Sequence, residues 1–152
     1  MMNVHYHPST VGDEVDAATA IDIDWLDERP AWRAQFALIG TGEGLVAGPN
    51  DENGIEFRIP PGVSDHTETM LVTLPSDVPE LRLWSVGAHM HYVGVDMLLG
   101  VQRETSPGPD RECLLHAPYY SFEWQRLYSY DNTLDDAVRL AGGDKLYMRC
   151  IY

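Results

Sequence analysis

Residues 81–101 read LRLWSVGAHMHYVGVDMLLGV, and the way this stretch is divided decides the fold. Two apolar runs, 81–90 and 94–101, flank a Tyr-Val-Gly break. Neither shows a helical spacing of apolar residues, and both are rich in alternating, aromatic or β-branched positions, which suits strands. The same texture recurs outward in both directions. Residues 3–6, 19–25, 32–39, 55–59, 70–74, 113–117, 127–130 and 145–152 form further short strand-like runs. Between them lie turn-rich clusters such as Gly48-Pro-Asn-Asp-Glu-Asn-Gly54, Pro60-Pro-Gly62 and Ser106-Pro-Gly-Pro-Asp110. About ten short strands punctuated in this way predict an all-β antiparallel sandwich or barrel.

The chain has 152 residues with 24 Asp plus Glu against 10 Lys plus Arg, a net charge of −14. Lys145 is the single lysine. That balance offers no basic track for phosphate backbones and predicts no nucleic-acid partner. No apolar stretch approaches the ~20 residues needed to span a bilayer as a helix, and the N-terminus lacks the basic-then-apolar pattern of a secretion signal. The acidic residues concentrate in residues 1–28 and 51–80, blocks that read first as solvated faces.

Four of the six histidines fall in two HxH pairs, His5-Tyr6-His7 and His89-Met90-His91. On a strand, side chains at i and i+2 share a face, with Cβ atoms roughly 6–7 Å apart. Two imidazoles so placed reach one metal with nitrogens at about 2 Å. Gly87 and Gly94 bracket the second pair, and glycine near a strand often marks a bulge or a close backbone approach. The same spacing also suits two half-exposed histidines on a sheet face. Residue types alone leave the metal open, since a third His or a carboxylate favours zinc and a thioether favours copper. His66 lies in a polar turn and reads as a surface histidine. His116, in an apolar run, reads as a hydrogen-bonded core or pocket histidine. There is no GxSxG string, and Cys113 and Cys150 have no catalytic context, so they read as small buried hydrophobes. The Gly40–Gly48 loop lacks the Lys-Ser/Thr of a phosphate cradle.

Several strings then occur together and in order: Val4-His5-Tyr6-His7-Pro8, Ile59-Pro60-Pro61-Gly62, Ala88-His89-Met90-His91-Tyr92-Val93-Gly94, Phe122-Glu123-Trp124-Gln125, and Gly143-Asp144-Lys145-Leu146 ahead of Arg149-Cys150. Together they resemble the copper type II, ascorbate-dependent monooxygenases, the family of peptidylglycine alpha-hydroxylating monooxygenase and dopamine beta-monooxygenase, and especially its bacterial members. The resemblance implies two consecutive jelly-roll-like β-sandwich domains, each carrying one copper. It divides this chain into residues 1–29, the end of the first copper domain and a linker, and residues 30–152, the second copper domain, truncated at its C-terminal end. It makes His89 and His91 ligands of the oxygen-activating copper and His5 a ligand of the electron-supplying copper. His7 has no counterpart, the third ligand would be a Met beyond Tyr152, and Cys150 matches a cysteine whose disulfide partner also lies beyond the end.

The implied activity is hydroxylation of a carbon on a small-molecule or peptide substrate, using dioxygen, copper and ascorbate, by an exported parent protein. The truncated piece is expected to be inactive alone. Two further readings follow from the residues themselves. One is a non-catalytic β-sandwich module that binds a partner or a carbohydrate, with Trp25, Trp32, Trp84 and Trp124 partly exposed. The other is a zinc-dependent lyase or hydrolase using the HxH pair and a third histidine such as His116.

Overall fold

A computed structural model describes residue 6 and residues 9–40, 42–105 and 111–152. The chain divides into two units, Met1–Phe36 and Ala37–Tyr152. In the first, the described residues form neither helix nor strand and are almost all exposed. Its clearest local order is an Asx turn, in which Asp16 Oδ1 accepts the amides of Ala18 and Thr19 at 3.2 and 2.9 Å. The Thr19 side chain, the Tyr6 hydroxyl and then these two amides hold the Asp16 carboxyl well below the usual carboxylate range.

The second unit is all-β and antiparallel, with sandwich-like strand pairing. Its strands are β1 (Thr67–Thr73), β2 (Leu81–Leu83), β3 (Ser85–Gly87), β4 (Asp96–Gln102), β5 (Glu112–Ala117), β6 (Leu127–Ser129), β7 (Val138–Leu140) and β8 (Lys145–Ile151), with one 3₁₀ turn at Phe122–Trp124. A four-stranded sheet has the order β1-β8-β4-β5, and β2-β7 and β3-β6 form two-stranded sheets. Registry places Met70, Met148, Leu99 and Leu115 on one rung, and Glu68, Cys150, Met97 and Ala117 on the next rung of the same face. That face packs with Val86, Ala88, Met90 and Leu140 into one core. β4 and β8 contribute every second side chain to it, as the pleat requires, while the register shift beside β5 brings in both Leu114 and Leu115. Among the described residues, no curled, closed sheet accompanies this pairing.

Five of the expected strands correspond to β1, β4, β5, β6 and β8 within a few residues. The expected strand at 81–90 is two short strands broken at Trp84. Residues 19–25, 32–39 and 55–59 form no strand, because in each the alternating apolar side chains find no partner ladder. The expected strand at 3–6 falls outside the described residues except for Tyr6. Strand β7, with only three residues and Arg139 at its centre, had too short a pattern to stand out.

His66 departs most from expectation. It is buried, not a surface residue, because its backbone extends the β1–β8 ladder: its amide donates to the Tyr152 carbonyl and its carbonyl accepts the Tyr152 amide, at 3.2 and 2.9 Å. Period two then turns His66, Glu68 and Met70 inward together. Glu68 Oε1 accepts from His66 Nε2 at 2.8 Å and from the Arg58 amide at 3.0 Å, while Oε2 has no hydrogen-bond partner among the described residues. Asn50 Nδ2 lies 2.9 Å from His66 Nδ1. That pairing assigns the proton to Nε2 and ties the 50–58 loop to the sheet.

The turn before β8 is held by Asp144, which follows Gly143 in a left-handed conformation at φ 88°. Its carboxylate accepts the amides of Glu104 and Ala141, both at 3.1 Å, and the Arg103 guanidinium at 3.0 Å. Burial on its own raises the Asp144 pKa, but these donors outweigh it and hold the group below its ordinary value.

Two outcomes test this framework. Replacing His66 with Ala strands a buried carboxylate and should cost about 3 kcal/mol in urea unfolding, whereas a His66→Leu, Glu68→Leu double variant should recover much of that loss. A single variant as stable as the parent would show that the pair is not buried as described. Because the folded pKa of Asp144 lies below its unfolded value, its stabilisation is complete above the unfolded value near 3.8 and disappears as pH falls through the folded value. Asp144→Asn should therefore flatten the acid limb of a Tm-against-pH profile.

Candidate functional site

The His89-Met90-His91 string sits just past the end of β3, in extended backbone that keeps the alternation of a strand. Met90 is buried in the core, and both imidazoles face outward with ring centroids 5.3 Å apart. The backbone between them is fixed by Tyr120, whose hydroxyl donates to the Met90 carbonyl at 2.6 Å and accepts the Met90 amide at 2.9 Å. Both bracketing glycines are close approaches: a Cβ on Gly94 would lie 2.6 Å from Met90 Cβ, and one on Gly87 would lie 3.0 Å from the Arg126 carbonyl oxygen. The histidines border a cavity of about 340 Å³ shared with Phe57, Ile59 and Tyr152.

What the fold brings to the pair is not a third ligand. Phe122 packs edge-on to His91 with centroids 5.8 Å apart, and His89 Nδ1 meets the Gln125 side-chain oxygen. Among the described residues, no group of three His, Cys, Asp or Glu side chains comes together that could hold a metal ion. This corrects the expectation of a copper-dependent, ascorbate-reduced monooxygenase acting on a substrate carbon. Two imidazoles are fewer than a protein copper or zinc site uses. His5 and His7 lie outside the described residues. The zinc alternative loses its third ligand as well, because His116, on β5 of another sheet, forms no such group with the pair among the described residues. Its Nε2 is 2.9 Å from Asp96 Oδ2, and Asp96 Oδ1 accepts from Arg149 at 2.8 Å. Desolvation opposes ionisation of Asp96, yet Arg149 and His116 together hold its pKa below the ordinary value.

The two cysteines behave differently from each other. Cys150 is a buried thiol whose pKa is pushed up chiefly by burial, as the sequence suggested. Cys113 is exposed, because the irregularity between Leu99 and Gly100 shifts the β4–β5 register by one residue there.

A second cavity, of about 480 Å³, opens beside β5 and the 3₁₀ turn. It falls within the ~300–1,000 Å³ range of small-ligand sites. Its walls carry Tyr119, Tyr120, Trp124 and Tyr128, together with Arg126 and His116. Tyr119 and Trp124 are 94% and 60% exposed, so they contribute little to the core. The scaffold beneath them is rigid: Tyr120 is locked to Met90, and the Tyr130 hydroxyl donates to the Leu114 carbonyl at 2.8 Å. Of these wall residues the sequence singles out Trp124 and, as a pocket histidine, His116. The missed signal was the aromatic density of residues 119–130, six aromatics in twelve residues.

Comparison of the chain with protein-family models, curated proteins and solved structures finds no match in any of the three. The motif strings are thus the whole basis of the family resemblance. Among the described residues, no helix is long and apolar enough to cross a membrane.

With only two imidazoles in place, the protein equilibrated with copper or zinc and then dialysed should retain far less than stoichiometric metal. A stoichiometric metal that disappears in His89→Ala would reverse the correction.

Proposed function

We propose that this chain is a non-catalytic β-sandwich binding module whose ligand seat is the aromatic cleft beside β5. The carrying observation is the set of large aromatic side chains held open to solvent around one cavity by a hydrogen-bonded frame. Exposed aromatics scattered singly need no explanation, but a cluster on a rigid concave surface is the usual make-up of a recognition site. All four tryptophans are exposed, in keeping with this reading. The residues lining the cleft do not make a reactive set. Among the described residues no hydrogen bond links Ser121 to His116, and the His116 Nε2 is engaged by Asp96. We also propose that the motif strings reflect a jelly-roll ancestry shared with the copper monooxygenases, without their chemistry.

Amide NMR of the isotope-labelled full chain, titrated with a panel of neutral and charged oligosaccharides and short peptides, tests the seat. Saturable shifts should cluster at residues 116–128, vanish in Trp124→Ala, and leave the ligand chemically unchanged. Turnover of a ligand, or shifts that persist in Trp124→Ala, would overturn the reading.

A further inference from the structure

We infer that the ligand of the aromatic cleft is an acidic saccharide, a sugar chain bearing carboxylates; this rests on the cleft being a binding seat. About one residue in six of the chain is acidic, yet among the described residues no Asp or Glu lines the cleft. The fixed cation among its lining residues is the Arg126 guanidinium, which favours an anion. His116 already has Asp96 as its partner. Arg126 has none: among the described residues no carboxylate comes within ion-pair reach of it, and its guanidinium lies 4.2 Å from the centroid of the Trp124 ring. Most other arginines of the same unit are claimed by acids, Arg58 by Glu52, Arg82 by Asp135, Arg103 by Glu112 and Asp144, Arg139 by Glu80, and Arg149 by Asp96. A guanidinium left without a carboxylate in so acidic a chain, and oriented by an indole, is prepared to take a carboxylate in bidentate fashion.

The rest of the cleft suits the sugar part of such a ligand. Aromatic faces carry negative charge density, which attracts the polarised C–H groups on the flat side of a pyranose ring. Tyr119, Trp124 and Tyr128 are exposed at the surface instead of enclosed in a pocket, and Arg126 covers one side of the Trp124 ring. An extended chain of rings can therefore lie across them, and Ser121 and His116 add polar groups able to meet ring hydroxyls. A neutral saccharide would use the aromatic faces and leave Arg126 desolvated without a partner, which weakens its binding.

Trigalacturonate and maltotriose, titrated separately into the full-length chain, distinguish the possibilities by amide shifts and tryptophan fluorescence. Trigalacturonate should bind at residues 116–128 at least about tenfold more tightly than maltotriose. That preference should fall about tenfold in Arg126→Gln, be partly kept in Arg126→Lys, and weaken in about 0.5 M salt. Tyr119→Ala, at a side chain that supports nothing in the core, should weaken both sugars without altering the fold. Equal binding of the two sugars, or an unchanged preference in Arg126→Gln, overturns the acidic assignment while leaving the cleft a binding seat. If neither sugar shifts those amides but a peptide does, the saccharide inference falls and the module stands. If no ligand class does, both fall.

Discussion

The structure depends on β8 lying between two antiparallel neighbours. Every residue from Lys145 to Ile151 is registered against β1 on one side and β4 on the other. Its inward side chains, Leu146, Met148 and Cys150, therefore fix which residues of both neighbours face the core. A slip of one residue would turn all three strands inside out. The same registry carries a penalty at its end, because the rung that holds Cys150 also holds Glu68. A carboxylate drawn inside by period two needs hydrogen bonds, and His66 and the Arg58 amide supply them at Oε1. The loop of residues 50–58 is ordered as a result. Sheet registry thus reaches surface segments that have no ladder of their own.

The two concave places on this unit share one support. Tyr120 fixes the backbone of Met90, which separates the two outward histidines, and Tyr120 also forms part of the wall of the aromatic cleft. Alternation set His89 and His91 side by side, as strand geometry demands. A metal needs a third donor from another element, and the elements that arrive opposite the pair deliver Phe122 and the Gln125 amide. A short motif can specify two ligands because they are neighbours in sequence. It says nothing about a third ligand that folding must supply.

The acidic excess divides into two roles. Asp96 and Asp144 are anchoring groups, sharing cations and backbone amides at the two ends of β4. Many of the others lie on exposed segments, consistent with solvated faces. Among the described residues, their absence from the walls of the aromatic cleft is a property of tertiary placement, since Glu112 and Glu123 are both near in sequence to residues that line it.

By itself the sequence determined the all-β class, the positions of β1, β4, β5, β6 and β8, and the shared face of His89 and His91. All of these follow from local alternation and turn chemistry, which neighbouring residues encode. Only tertiary structure decided that His66 is a buried partner of Glu68, that residues 19–25 and 55–59 form no strand, and that the HxH pair has no third ligand among the described residues. It also decided that six aromatics between Tyr119 and Tyr130 divide into core anchors and an open cleft. Each of these rests on pairings between segments far apart in the chain, where burial and hydrogen-bond supply override what the local pattern suggests.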